Sequence, residues 1–308
     1  MSNIVIPGIR LKPQKRKRKL PVILIFLLFM TSIFVYGIFN QSVKKELINP
    51  LLGIEAETSL NRLIQYSLAG TKDTYGITIK SLKTGETYSY NDHRVFDTGS
   101  LYKLWVMAAT IKQIEEGILT EELSLNGSIG DLNKKFNIDS ASAELTTGSI
   151  NMTVASAINQ MITISHNYAA LLLTEKIKLS TVAKFLKENG FQESSVGITG
   201  EAPKSTSADI SLFLEKLYKG ELASKENTEK MINILKKQQL NGGLQKYLPA
   251  GVAAHKTGDL GWFKHDAGIV FTQKGDYVIS ILSESGSPLG AQEKIALISK
   301  IVYDYFTK

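Results

Sequence analysis

With 308 residues, 43% of them apolar, and no cysteine, the chain has material for a substantial core but none for disulfides, thiol nucleophiles or thiolate metal sites. Its formal charge of +7 is local: Arg10, Lys12, Lys15, Arg16, Lys17, Arg18 and Lys19 fall within residues 1–20 without an acid, which leaves 29 basic against 29 acidic residues over 21–308. That neutral remainder has no excess of cations for a phosphate backbone, so nucleic acid is excluded as its partner at this level.

Residues 1–20 read as a basic cytoplasmic tail. Residues 21–39 follow as 19 positions without a charge, about 28 Å long as a helix, which suits a bilayer core of about 30 Å. The spacing predicts a single-pass anchor whose basic side stays in the cytoplasm, with the rest of the chain outside the cell membrane. A cleaved signal peptide is the alternative, but its apolar region would be unusually long and no small-x-small site follows near Gly37 to Val43. Residues 40–50 form a polar linker, and 51–308 the one large domain.

Leu51 to Ala69 places Leu52, Ile54, Leu60, Leu63, Ile64 and Leu68 at helical spacing and closes at Gly70. Tyr75 to Lys80 and Thr87 to Tyr90 read as strands, with Lys83-Thr84-Gly85 in the turn between them. Then comes the stretch Asp97-Thr98-Gly99-Ser100-Leu101-Tyr102-Lys103, followed by the apolar run from Leu104 to Ala109. Asp97 and Thr98 are good N-cap residues and Gly99 permits a tight bend, so Ser100 is expected in the first turn of a buried helix running to about Gly117.

In that register Ser100 and Lys103 share a helix face, nearly one turn apart. A serine of ordinary pKa is a poor nucleophile, and a lysine whose charged form is disfavoured by burial can act as its base. The helix N-terminus adds free N–H groups and a positive dipole end where an oxyanion would form. An isolated S-x-x-K is more often a surface serine beside a solvated lysine, and Ser42 with Lys45, in a polar segment with no buried helix behind it, reads as such a chance match.

Polar segments rich in Gly, Asn and Ser continue through Gly148. Met152 to Thr163 is periodic again, with Asn151 or Thr153 as cap, and Tyr168 to about Lys178 is a second apolar helix. Between them lies Ser165-His166-Asn167, a polar triplet placed to line a cleft. Other S-x-N matches (Ser89 to Asn91, Ser124 to Asn126, Ser149 to Asn151) lack that setting. Thr181 to Asn189 reads as a helix closing at Gly190, Gln192 to Ser205 as an irregular loop with Glu193 and Glu201, and Thr206 as the cap of a helix through Tyr218. Lys225 to Gln239 is a further helix. Strands are expected at Val252 to Thr257, His265 to Thr272 and Asp276 to Glu284, and a helix at Ala291 to Tyr305. Two early strands and three late ones around a helical block indicate one α+β unit whose ends meet in a single sheet.

His255-Lys256-Thr257-Gly258 ends one of those late strands. Lys and Thr on an edge strand present a cation, a hydroxyl and free N–H groups to a carboxylate-bearing, peptide-like substrate, and Gly permits close approach. The four histidines, His93, His166, His255 and His265, show no ligand spacing, so neither a metal nor another cofactor is expected.

A serine with a lysine one turn on, S-x-N between helices and K-T-G on a late strand, in that order, is the trio of class A β-lactamases and penicillin-binding proteins. From Leu51 onward the chain resembles that family. Ser205-Thr206-Ser207-Ala208-Asp209-Ile210 is similar to its helix start after the Ω loop, and Asp266-Ala267-Gly268-Ile269-Val270 to the strand that follows. The resemblance implies a five-stranded antiparallel sheet flanked by N- and C-terminal helices, a mostly helical subdomain, and an active site between them. It implies Ser100 as the acylated nucleophile, Lys103 as its base, Ser165 as proton relay tuned by Lys256, and Asn167 as a contact to the substrate amide and Lys103. Thr257, beside Gly258, would hold the substrate carboxylate, and the N–H groups of Ser100 and Asp259 the oxyanion.

Two positions depart from the family. His166 stands where Asp is usual, as a structural residue or a new acid–base group. The Ω loop is short and lacks the Leu-Asn pair that follows the hydrolytic glutamate, so Glu201 falls nearest that position and Glu193 is the alternative. The expectation is a monomeric hydrolase of small-molecule β-lactams, against a DD-peptidase-like enzyme acting on cell-wall peptides or a non-catalytic wall-binding protein.

Overall fold

The computed structural model describes residues 59–197 and 201–308. The basic tail, the 21–39 segment, the linker, the start of the first predicted helix and the Ser42/Lys45 pair lie outside the described residues. Among the described residues no helix is long and apolar enough to cross a membrane.

Helix α1 (Leu60–Leu68) leads into β1 (Thr74–Ser81) and β2 (Thr87–Tyr90), joined by the exposed Lys83-Thr84-Gly85 turn. The short β3 (Phe96–Asp97) and one 3-10 turn (Gly99–Tyr102) precede α2 (Lys103–Glu115). The helical block follows: β4 (Ser124–Ser128), α3 (Ile129–Lys135), β5 (Ser149–Thr153), α4 (Val154–Thr163), α5 (Asn167–Ile177) and α6 (Leu179–Glu188). The chain returns through β6 (Lys204–Ser205), α7 (Ser207–Tyr218) and α8 (Lys225–Leu235) to β7 (Ala253–Leu260), β8 (Phe263–Val270), β9 (Tyr277–Glu284) and α9 (Pro288–Thr307).

The five long strands pair antiparallel in the order β2-β1-β9-β8-β7, so the two ends of the domain share one sheet and β7 is an edge. Alternation gives each face its own core. Tyr75, Ile77, Ile79, Ile279 and Ile281 pack under Ile64 of α1 and Ile295, Ile298 and Val302 of α9. On the other face Ala254, Ala267, Ile269, Val278 and Leu282 lie against α7 and α8 and join the core of the helical block. Helix α2 is apolar all round for its first turns and buried from Lys103 to Ile111, as a helix through the middle of a domain must be. Each of its fully buried large apolar side chains contributes about 1.5–3 kcal/mol.

Three local expectations are corrected. Thr98 does not cap a helix: it has helical dihedrals (φ −71°, ψ −13°), its hydroxyl donates to Gly99 O, and the bend is made by Gly99 at φ +48° into a 3-10 turn. The K-T-G stretch lies inside β7 rather than at its end, because the hairpin is the two-residue turn at Gly261-Trp262, with Gly261 at φ +55° and Leu260 paired to Phe263. A two-stranded ribbon that no periodicity announced pairs β4, in the polar region before Gly148, with β5 just after it, where a helix is expected from Met152. The other caps agree: Thr153 accepts from Ser156 N–H and Thr206 from Asp209 N–H.

Candidate active site

Three elements converge. The 3-10 turn carries Ser100, half-exposed, and delivers Lys103 as the first residue of α2, fully buried. The α4–α5 junction carries Ser165 and Asn167. The edge strand β7 carries Lys256, whose side chain shares the face of Ala254 and is therefore turned toward the helical block.

Lys103 Nζ donates to Ser165 O (2.6 Å), Ser165 Oγ (3.2 Å) and Asn167 Oδ1 (2.6 Å). Lys256 Nζ donates to the same Ser165 Oγ at 3.0 Å and to Thr257 O at 2.9 Å. The Ser165 hydroxyl thus sits between two buried amines, and its backbone is bent to put it there. Ser165 is at φ +57°, the left-handed region, which strains a residue with a Cβ by about 1 kcal/mol or more. The spacing argument had Lys103 aimed at Ser100. Its hydrogen bonds run to Ser165 and Asn167 instead.

Two amines this deep cannot both hold a proton cheaply. Burial, followed by the charge of Lys256, brings the pKa of Lys103 down from 10.5 to about 7. Burial brings Lys256 down to about 8, with Asp266 and Asp259 acting against the fall. Near neutral pH one amine is poised to accept a proton while its neighbour keeps one.

Gly99 explains how the turn meets the edge strand. A Cβ there would lie 2.8 Å from Asp259 N, and a Cβ at Gly258 would lie 2.5 Å from Thr98 O. Backbone therefore packs on backbone, and the Asp259 amide lies against the residue that precedes Ser100. The Asp259 carboxylate is exposed and pairs with Lys264 at 2.9 Å.

The remaining candidates separate clearly. His166 is structural: its Nδ1 caps α5 by accepting from Ala169 N–H. Glu193 is tied into the base of the loop, where its N–H donates to Asp209 and its carboxylate accepts from Thr206 Oγ1 (2.9 Å) and holds His93. Glu201 lines a cavity with Tyr102, Leu171, Thr174 and Pro203. One participant went unread: Glu144, in the polar region, accepts from Asn167 Nδ2 at 2.6 Å and so fixes which way that amide faces. Nothing in its aperiodic surroundings marks it.

A part-exposed serine at a backbone-lined turn, two amines of depressed pKa sharing a second serine, and an edge strand alongside define a serine hydrolase of β-lactamase type. The chain belongs to the beta-lactamase enzyme family, whose model matches residues 55–306. Among curated proteins none matches it. Its fold is similar to that of PBP-A, with 22% identity over 81% of this chain and 96% of that one and a TM-score of 0.70. An acyl-enzyme complex of a PBP-A mutant with penicillin G gives 23%, 80%, 96% and 0.69 in the same order. A β-lactamase from Sphaerobacter thermophilus gives 24%, 79%, 96% and 0.69.

Proposed function

We propose that the chain hydrolyses β-lactams through an acyl-enzyme on Ser100, outside the cell membrane, held there by residues 21–39 and acting as a monomer. The observation that carries the chemistry is Ser165 Oγ held by both Lys103 and Lys256 at 3.0–3.2 Å. In this reading neutral Lys103 takes the Ser100 proton as Ser100 Oγ attacks the lactam carbonyl carbon. The charge on oxygen faces the N–H groups of Ser100 and Asp259. The C–N bond then breaks, and the proton reaches the leaving nitrogen through Ser165, which Lys256 keeps polarised. Asn167 donates to the substrate amide, and Thr257 on β7, beside Gly258, to its carboxylate. Water attacks the ester with Glu201 as base, which restores Ser100.

A second reading has its own support. The loop that carries Glu201 is short and lacks the family's Leu-Asn pair, which suits slow deacylation and a DD-peptidase-like enzyme acting on cell-wall D-alanyl peptides. Intact-mass measurement over time with benzylpenicillin separates the readings. A one-penicillin adduct that forms and clears supports hydrolysis, one that persists supports the peptidase, and none at all overturns both. For the anchor, full-length protein pelleting with membranes is expected; protein shortened past residue 40 in the medium would overturn it.

A further inference from the structure

β8 carries a histidine that none of these steps uses. His265 is 2% exposed and lies on the helical side of the sheet, facing the approach to Ser100. Its Nδ1 accepts the Ser283 backbone N–H at 3.0 Å, so that nitrogen bears no hydrogen. The single proton of the neutral ring is then on Nε2, which donates to Asp97 O at 2.8 Å. Burial lowers the pKa to about 4 and keeps the ring in that one neutral tautomer. Phe96 meets it edge to face at 5.9 Å between centroids, and a Cβ on Gly258 would be 3.1 Å from its Cδ2.

Asp97 stands three residues before Ser100, and the next residue is pinned as well, since Thr98 N–H donates to Pro203 O at 2.8 Å. The segment that presents the serine is thus fastened from two sides, by the sheet through His265 and by the loop strand through Pro203. Within the proposed acylation of Ser100, we infer that His265 is a positioning residue: its Nε2–H···O=C bond to Asp97 fixes the turn that aims the Ser100 hydroxyl. A misplacement of about 1 Å at a reacting atom can slow a reaction about a hundredfold, so one bond at this point has leverage.

The two ring nitrogens can be tested apart in the full-length chain. His265→Gln can place an N–H near the former Nε2 and keep the bond to Asp97; His265→Asn can place an oxygen near the former Nδ1 and keep only the bond from Ser283. At matched urea midpoints, the rate of labelling by a fluorescent penicillin is expected to fall about tenfold or more in the Asn variant and stay within about threefold of wild type in the Gln variant. Equal rates in the two would overturn the inference, since a ring that only filled space would not distinguish them. Amide exchange at residues 98–101, expected to be faster in the Asn variant than in the Gln variant, decides positioning even if the wild type takes up no penicillin; equal exchange overturns it. Nitrogen-15 shifts of the wild-type ring need no variant: a protonated Nε2 with bare Nδ1 is expected, and the reverse tautomer would sink the proposal.

Discussion

At the scale of single residues, the site rests on two lysines made unlike by their surroundings. Burial and the charge of Lys256 lower Lys103 to about 7, and Lys256 sits at about 8. If Lys103 must be neutral and Lys256 charged, acylation rises with pH through about 7 and falls above about 8. Lys256→Gln removes the charge that helps depress Lys103, so the rising limb should move to higher pH and the falling limb vanish; a labelling profile unchanged in shape would refute the pairing. Lys103→Ala should slow labelling by about 10² to 10⁴ with the fold intact, the usual contribution of a positioned acid–base group. The burial of Lys103 could be read from the apolar run that follows it, but its partners Ser165 and Asn167 could not be read from the three-residue spacing to Ser100. Glu144 could not be read either, since its role comes from a loop folding back onto Asn167, a contact that no local pattern encodes.

At the scale of elements, the bend into α2 matters most. Gly99→Ala places a Cβ 2.8 Å from Asp259 N at φ +48°, and should destabilise the chain by about 1–3 kcal/mol while slowing acylation. Urea unfolding beside penicillin labelling checks both, and a neutral result would mean that turn and strand can part freely. Thr206→Ala removes the α7 cap and the hydroxyl that donates to Glu193. A loss of about 1–2 kcal/mol is expected in the same urea experiment. Helices with a polar cap and a clean apolar stripe, such as α4 and α7, could be read to within a residue or two. The 3-10 turn could not, because Gly99 earns its conformation from the strand packed against it. Nor could β4 and β5, whose pairing is long-range and of whose residues only Leu125 is fully buried.

At the scale of the whole molecule, burial of neutral His265 ties stability to pH. Burial outweighs the nearby Asp97 and Asp259 carboxylates, so the unfolded chain takes up a proton near pH 6.5 that the folded ring refuses until about 4. This stability is fully present above about 6.5 and is lost as pH falls toward 4, about 3 kcal/mol in all. Urea midpoints at pH 7 and 4.5 should therefore drop further for wild type than for His265→Gln; parallel drops would place the acid sensitivity elsewhere. The α+β class could be read from strands clustered at both ends, and the order of those strands has one more consequence. β1 can pair with β9, and α1 can receive Lys294 of α9 on Ser67 O, only once the chain has been made through those late residues. Such distant pairing is slow to form. A chain made only as far as α8 holds Ser100 without the strand that carries Lys256, so under the proposed mechanism the serine stays unreactive until β7 has joined the sheet.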